Sequence, residues 1–103
     1  MAGIIARRLL QYSEKGDSRR HDIEVRIYAP CALVEGAVAF EFDPGTAGCR
    51  WEIVGLPKVF EDVSYGADSL QALQIASNVE PLIRTLQKEY DLYFPTGEPY
   101  FGS

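Results

Sequence analysis

Few side chains in this sequence are of the types that carry chemistry. His21 is its one histidine, and Cys31 and Cys49 are its two cysteines. A Cys–His couple needs hydrogen-bond contact and a third group to orient the base. His21 opens an alternating run beside Asp22, which predicts a solvated imidazole. Cys49 shares a face with Trp51 and Ile53 and reads as a small core residue. Cys31 follows Pro30 and is the thiol expected at the surface. Glu61-Asp62, with Asp68 nearby, are the closest thing to paired carboxylates. Neighbours in an extended segment point to opposite faces, so they read as a solvated acidic stretch. Asp68-Ser69-Leu70 places a hydroxyl at the start of a helical pattern, where the terminus favours a phosphate. The same residues also read as a plain helix cap. One histidine and two cysteines make neither a zinc site of usual spacing nor a disulfide framework. No Walker motif, dinucleotide fingerprint or nucleophile elbow occurs. No catalytic residue, metal or cofactor is therefore expected.

The charge is uneven. The chain carries 10 basic and 15 acidic residues, a net charge of −5. Residues 1–34 hold six bases and four acids; residues 35–103 hold four bases and 11 acids, a net of −7. An acidic body repels phosphate backbones and disfavours nucleic acid. It favours solubility, or a partner with a basic surface. Arg7-Arg8 and Arg19-Arg20 make a local basic patch only if their strands pair.

The elements that must position these residues follow from periodicity. Residues 4–12 are apolar with imperfect alternation and predict a strand. Ile23, Val25 and Ile27 alternate with Glu24, Arg26 and Tyr28, the clearest strand pattern in the chain. Pro30 ends it. Val38, Phe40 and Phe42 alternate with Ala39 and Glu41. After the turn at Asp43–Gly48, Cys49, Trp51 and Ile53 share a face, so the two runs predict a hairpin. Trp51, Phe40 and Phe42 are assigned to the core. Residues 58–65 predict an edge strand or an extended arm. Leu70, Leu73, Ala76, Val79, Ile83, Leu86 and Tyr90 then recur at helical steps. Asp68 and Gln71 fit a capping box, and Pro81 must kink or split the helix. Residues 91–103 read as an irregular aromatic arm, packed on the body or free to dock. At 103 residues one domain can bury about 65% of its surface, enough for one core. The expectation is a single α+β domain over 1–103, with strands mainly in 1–65, a helix over 66–90 and the arm beyond. The antiparallel sheet has about 4–5 strands, and the helix covers one face. No run approaches the ~18 residues of a membrane span. The apolar Met1–Ala6 stops at Arg7-Arg8, short of a signal peptide. A cytoplasmic, non-membrane protein is expected.

Two resemblances bear on function. Gly66-Ala67-Asp68-Ser69-Leu70, continued by Gln71-Ala72-Leu73, resembles the phosphopantetheine attachment motif of acyl and peptidyl carrier proteins. That likeness is local, and it implies modification at Ser69. Over most of the chain, four features together resemble a family of small uncharacterised bacterial proteins. They are Ile-Ala-Arg-Arg-Leu (5–9), the alternating strand ending in Pro30, Cys-x-Trp-Glu-Ile (49–53), and Gly-x-Asp-Ser-Leu-Gln-Ala-Leu-Gln-Ile-Ala (66–76). That resemblance implies a bacterial cytoplasmic α+β domain and transfers no site residues.

The first functional expectation is a non-enzymatic protein-interaction module, such as an immunity protein or inhibitor, binding a basic partner. Its contacts are expected at Glu41, Asp43, Glu61, Asp62 and Asp68, with Tyr93, Phe94, Tyr100 and Phe101 as anchors. The alternatives are a carrier modified at Ser69 and a small-molecule-binding domain. A homodimer through an edge strand is also compatible with the pattern.

Overall fold

A computed structural model describes residues 3–101. Six strands and two helices follow in the order β1 (Ile4–Glu14), β2 (His21–Tyr28), β3 (Cys31–Ala32), β4 (Ala47–Val54), β5 (Phe60–Gly66), α1 (Ser69–Ser77), α2 (Glu80–Leu86) and β6 (Tyr90–Tyr93). All pairings are antiparallel. β2 takes Trp51–Val54 of β4 and β3 takes Ala47–Gly48, so they share one edge of that strand. β5 runs along its other edge. β1 lies between β2 and β6. The architecture is α+β: a six-stranded antiparallel sheet with its helices on one face.

The alternating pattern of β2 does what period two requires. Ile23, Val25 and Ile27 are buried, while Glu24, Arg26 and Tyr28 are half-buried on the other face. Leu10 of β1 and Cys49 and Ile53 of β4 extend the buried face. Ala72, Ala76, Val79, Ile83 and Leu86 close it from above. The helical stripe begins differently from its expected course. Leu70 is exposed, and the small Ala72 meets the sheet instead. The reason is close approach: a Cβ on Gly66 would lie 2.4 Å from the amide nitrogen of Ala72. The helix backbone rests on the end of β5, where only small residues fit.

The expected helix over 66–90 is two helices. Pro81 falls in the first turn of α2, where its missing N–H costs no intrahelical bond. The break at Asn78–Val79 is thus set by proline, as its position predicts. No helix among the described residues is long and apolar enough to cross a membrane.

Two segments correct the sequence expectation. Residues 38–42 are not a strand. They lie in a loop over 33–46, and Phe40 and Phe42 are outside the core. The expected partner, β4, has both edges occupied, so the hairpin has no free ladder to join. Residues 91–101 are not wholly irregular. Tyr90–Tyr93 forms β6 on the Gln11–Glu14 edge of β1, and Tyr90 and Leu92 are buried. A turn then folds Pro99 back against Tyr93. Residues 102 and 103 of the expected arm lie outside the described residues.

Candidate functional site

The face of the sheet away from the helices carries a continuous ion-pair ladder. Arg7 Nε lies 3.2 Å from Glu24 Oε1, which Arg26 Nε also approaches at 3.2 Å. The Glu24–Arg26 contact lacks hydrogen-bond alignment at those two atoms. Arg26 reaches Glu52 at 3.4 Å, and Arg50 joins Glu52 at 3.0 Å to Glu61 at 2.9 Å. The Tyr28 hydroxyl donates to Glu52, and Arg50 stacks 4.8 Å from the Tyr28 ring centroid. Tyr28's hydrogen bond, backed by Arg50 and Arg26, holds the Glu52 carboxyl below its usual pKa. Three arginines and three glutamates cancel across four strands. The ladder is half-buried at its centre, at Glu24, Arg26 and Glu52, and exposed at its ends, at Arg7 and Glu61.

Glu61 is therefore already neutralised by Arg50. Asp62 sits on the opposite face of β5 and is exposed. Its carboxylate accepts the N–H of its own neighbour Val63 at 2.7 Å. Asp68 is the N-cap of α1, accepting from the Gln71 N–H at 2.8 Å. Gln71 reaches back to the N–H of Ala67, one residue before the N-cap. Ser69 is the exposed first residue of α1. It stands on a sheet, whereas carrier proteins present their serine on a helical bundle.

The four expected anchors are largely engaged by the body. Tyr93 lies under the Arg20 guanidinium at 3.9 Å, its hydroxyl 3.3 Å from Ser13 Oγ. The Tyr100 hydroxyl accepts from Arg8 at 2.6 Å and donates to Glu80. Phe101 packs on Tyr100 and beneath Arg84. Phe94 packs on Tyr100 but keeps 40% of its surface exposed. The two arginine pairs form no patch. Arg7 binds Glu24, Arg8 binds Glu80, Arg19 binds Asp17, and Arg20 donates to the Gly97 carbonyl.

His21 and the cysteines are also apart. His21 starts β2 against the Tyr12 ring, and Cys31 lies beyond the far end of β2. That separation is about 30 Å of extended chain. Cys49 is buried, its thiol donating to the Tyr28 carbonyl at 3.1 Å, and burial pushes its pKa up. Among the described residues no three His, Cys, Asp or Glu side chains gather as metal ligands would.

What remains is the loop over 33–46. It exceeds the ~12 residues beyond which structureless loops become uncommon and tend to be functional. A bond from Leu33 N–H to the Thr46 carbonyl closes its base at 2.9 Å. It contains Glu35, Glu41 and Asp43 and no basic residue. Val34 is 64% and Phe40 46% exposed. Phe40 meets Tyr65 of β5 edge-on at 5.0 Å, and Phe42 at 6.5 Å. A groove of about 500 Å³ runs through the loop past Glu35, Val38, Phe40, Glu41 and Phe42. A second, of about 540 Å³, lies between Asp43–Thr46 and Tyr65–Gln71. The loop thus brings Asp43 beside the end of β5, where α1 begins, while Glu41 lines the first groove with Phe40 and Phe42. Sequence reasoning placed its phenylalanines in the core and missed Tyr65. The available signal was three acids and no base in a segment interrupted by Gly36, Pro44 and Gly45.

No curated protein and no solved structure matches the chain. The family model described as a domain of unknown function, DUF6968, matches residues 6–85. That span runs from β1 through nearly all of α2 and includes the 33–46 loop, so the chain belongs to the DUF6968 family.

Proposed function

We propose that the chain is a non-enzymatic protein-interaction module that binds a basic surface of a partner, with the 33–46 loop as its contact. The observation that supports this reading is the loop's exposed aromatic–acidic character. Phe40 projects at 46% exposure among three carboxylates with no base in the loop. Aromatic side chains supply interface area at low entropic cost, and surrounding charge supplies specificity and encounter rate. Because Tyr93, Tyr100 and Phe101 are engaged by the body, Phe40, Phe42 and Tyr65 take over the anchoring role. Glu41 and Asp43 are the leading charged contacts, with exposed Asp62 and Asp68 beside them. Glu61 ranks lower because Arg50 already compensates it. A small acidic domain that blocks a basic effector, as an immunity protein or inhibitor does, fits this surface. Residence in a bacterial cytoplasm belongs to the same reading.

Affinity capture from the native host tests it, comparing the wild-type chain with an E41K/D43K double variant of matched thermal stability. The expected result is one stoichiometric basic protein held by the wild type and lost by the variant. Its affinity should fall steeply as salt screens the charges. Equal capture by both chains, or an affinity indifferent to salt, overturns the reading. Recovery of acyl-transferring enzymes instead would return attention to Ser69.

A further inference from the structure

We infer that the outer edge of β5 accepts an added strand, and that the strand it accepts is a basic extended segment of the partner. This inference rests on the proposed binding of a basic protein and specifies how part of that protein is held. β5 pairs with β4 from Phe60 to Gly66 without a register shift. Among the described residues no backbone bond reaches its other edge. In an antiparallel ladder, alternate residues turn their N–H and C=O groups to opposite sides. The Val63 N–H goes to the Asp62 carboxylate, not to β4. It therefore faces the open side, and by alternation the backbone groups of Glu61 and Tyr65 face it too. Asp62 stands in for a missing neighbour.

The sheet's other open stretch shows what a protected edge looks like here. β6 covers only Gln11–Glu14 of β1, and among the described residues Ile4–Leu10 has no strand on that side. That stretch carries a bulge at Ile5 and the cations Arg7 and Arg8, devices that discourage pairing. β5 has no bulge and no basic residue, and it carries Glu61 and Asp62. Its charge disfavours a second copy of β5 and favours lysine or arginine on the incoming strand. Asp62 accepts the Val63 N–H but makes no ion pair among the described residues, so its charge is uncompensated and selects that of the incoming strand. Strand addition draws affinity from main-chain bonds and specificity from alternate side chains. On the open face those side chains would meet Val63, Tyr65 and, through Tyr65, Phe40. Edge and loop then form one continuous surface.

The test uses the full chain, isotope-labelled, with a synthetic peptide of alternating lysine and valine as probe. An alternating glutamate–valine peptide is the control. Amide hydrogen exchange is read at Glu61, Val63 and Tyr65, and resonance shifts are read across residues 35–43. The expected result is exchange slowed about tenfold or more at those three amides by the basic peptide only. Val63→Pro removes an N–H that bonds only the exposed Asp62 carboxylate and no ladder partner, which an edge strand tolerates. It should abolish the protection at Glu61 and Tyr65, the two amides left to read, while the loop resonances still shift; D62K, which keeps the backbone donor, should weaken it severalfold. Loop shifts without protection at β5 overturn strand addition and leave the proposed function standing. No shifts anywhere overturn both. Protection without peptide that grows with protein concentration assigns the edge to a second copy and overturns the basic-segment inference.

Discussion

Two segments of this chain carry alternating aromatic patterns, and only one is a strand. Tyr90–Tyr93 buries Tyr90 and Leu92 and pairs with Gln11–Glu14. Val38–Phe42 alternates at least as cleanly, yet it lies in a loop with Phe40 exposed. The difference is the availability of an edge. β2 takes one side of β1, and β6 fills the other side at Gln11–Glu14. β4 is bonded on both sides, by β2 and β3 on one and by β5 on the other. A period-two pattern gives a segment a face to bury but no partner to bond. The segment left without a partner keeps Phe40 at the surface.

The largest test of this contrast is in the core. Leu92→Ala empties a site only 4% exposed. The cost expected for a buried leucine is about 2–5 kcal/mol, through lost burial and a cavity. Phe42→Ala removes a larger side chain from the half-buried loop and should cost about 1 kcal/mol or less. Urea denaturation midpoints measure both. Equal losses would mean that the loop is as much a part of the fold as β6 is.

A smaller effect concerns the clasp that holds the end of the C-terminal segment. Tyr100 donates to Glu80, which also takes Arg8 at 2.7 Å. The Tyr100 hydrogen bond, then Arg8, lowers the Glu80 pKa. A carboxyl lowered in the folded state stabilises it at pH values above the unfolded pKa of about 4.3. That stabilisation is lost as pH falls through the lowered folded value. Tyr100→Phe should therefore lower stability near neutrality by about 0.5–1 kcal/mol, since the clasp is half exposed. The gap from wild type should close as pH falls through that lowered value and Glu80 takes a proton. A gap that persists unchanged in acid would show that the tyrosine acts by packing alone.

These two segments also mark how far the sequence could be read. The strands around Ile23–Ile27 and Cys49–Ile53 were legible because period two and burial coincide there. The split at Pro81 was legible because proline has a local effect. The misplaced segments turn on which edges are free, a property of the whole sheet that no local window contains. Leu70 was misplaced for a related reason, since a close approach at Gly66 decides which helix residue touches the sheet. The candidate site was legible by residue type and not by pairing. Glu41, Asp43, Glu61 and Asp62 all read as free acids. Register alone puts Glu61 opposite Glu52, where Arg50 reaches both. The course of the 33–46 loop sets Phe40 against Tyr65, which has no chemical signal of its own.

The smallest expected effect on stability is the one most informative about function. Phe40→Ser removes an exposed ring whose aromatic contacts are Tyr65 and Phe42. With little buried area lost, stability should change by about 0.5 kcal/mol or less, within the range of ordinary surface substitutions. Binding of the captured partner should nevertheless fall tenfold or more, as expected for a central aromatic anchor. A melting midpoint and a binding isotherm on the same preparation separate the two effects. If Phe40→Ser destabilises the fold as much as Tyr100→Phe does, the ring belongs to the fold. If it leaves both stability and binding intact, the contact lies elsewhere, and the exposed alternation of residues 38–42 is a strand pattern left without an edge and without a use.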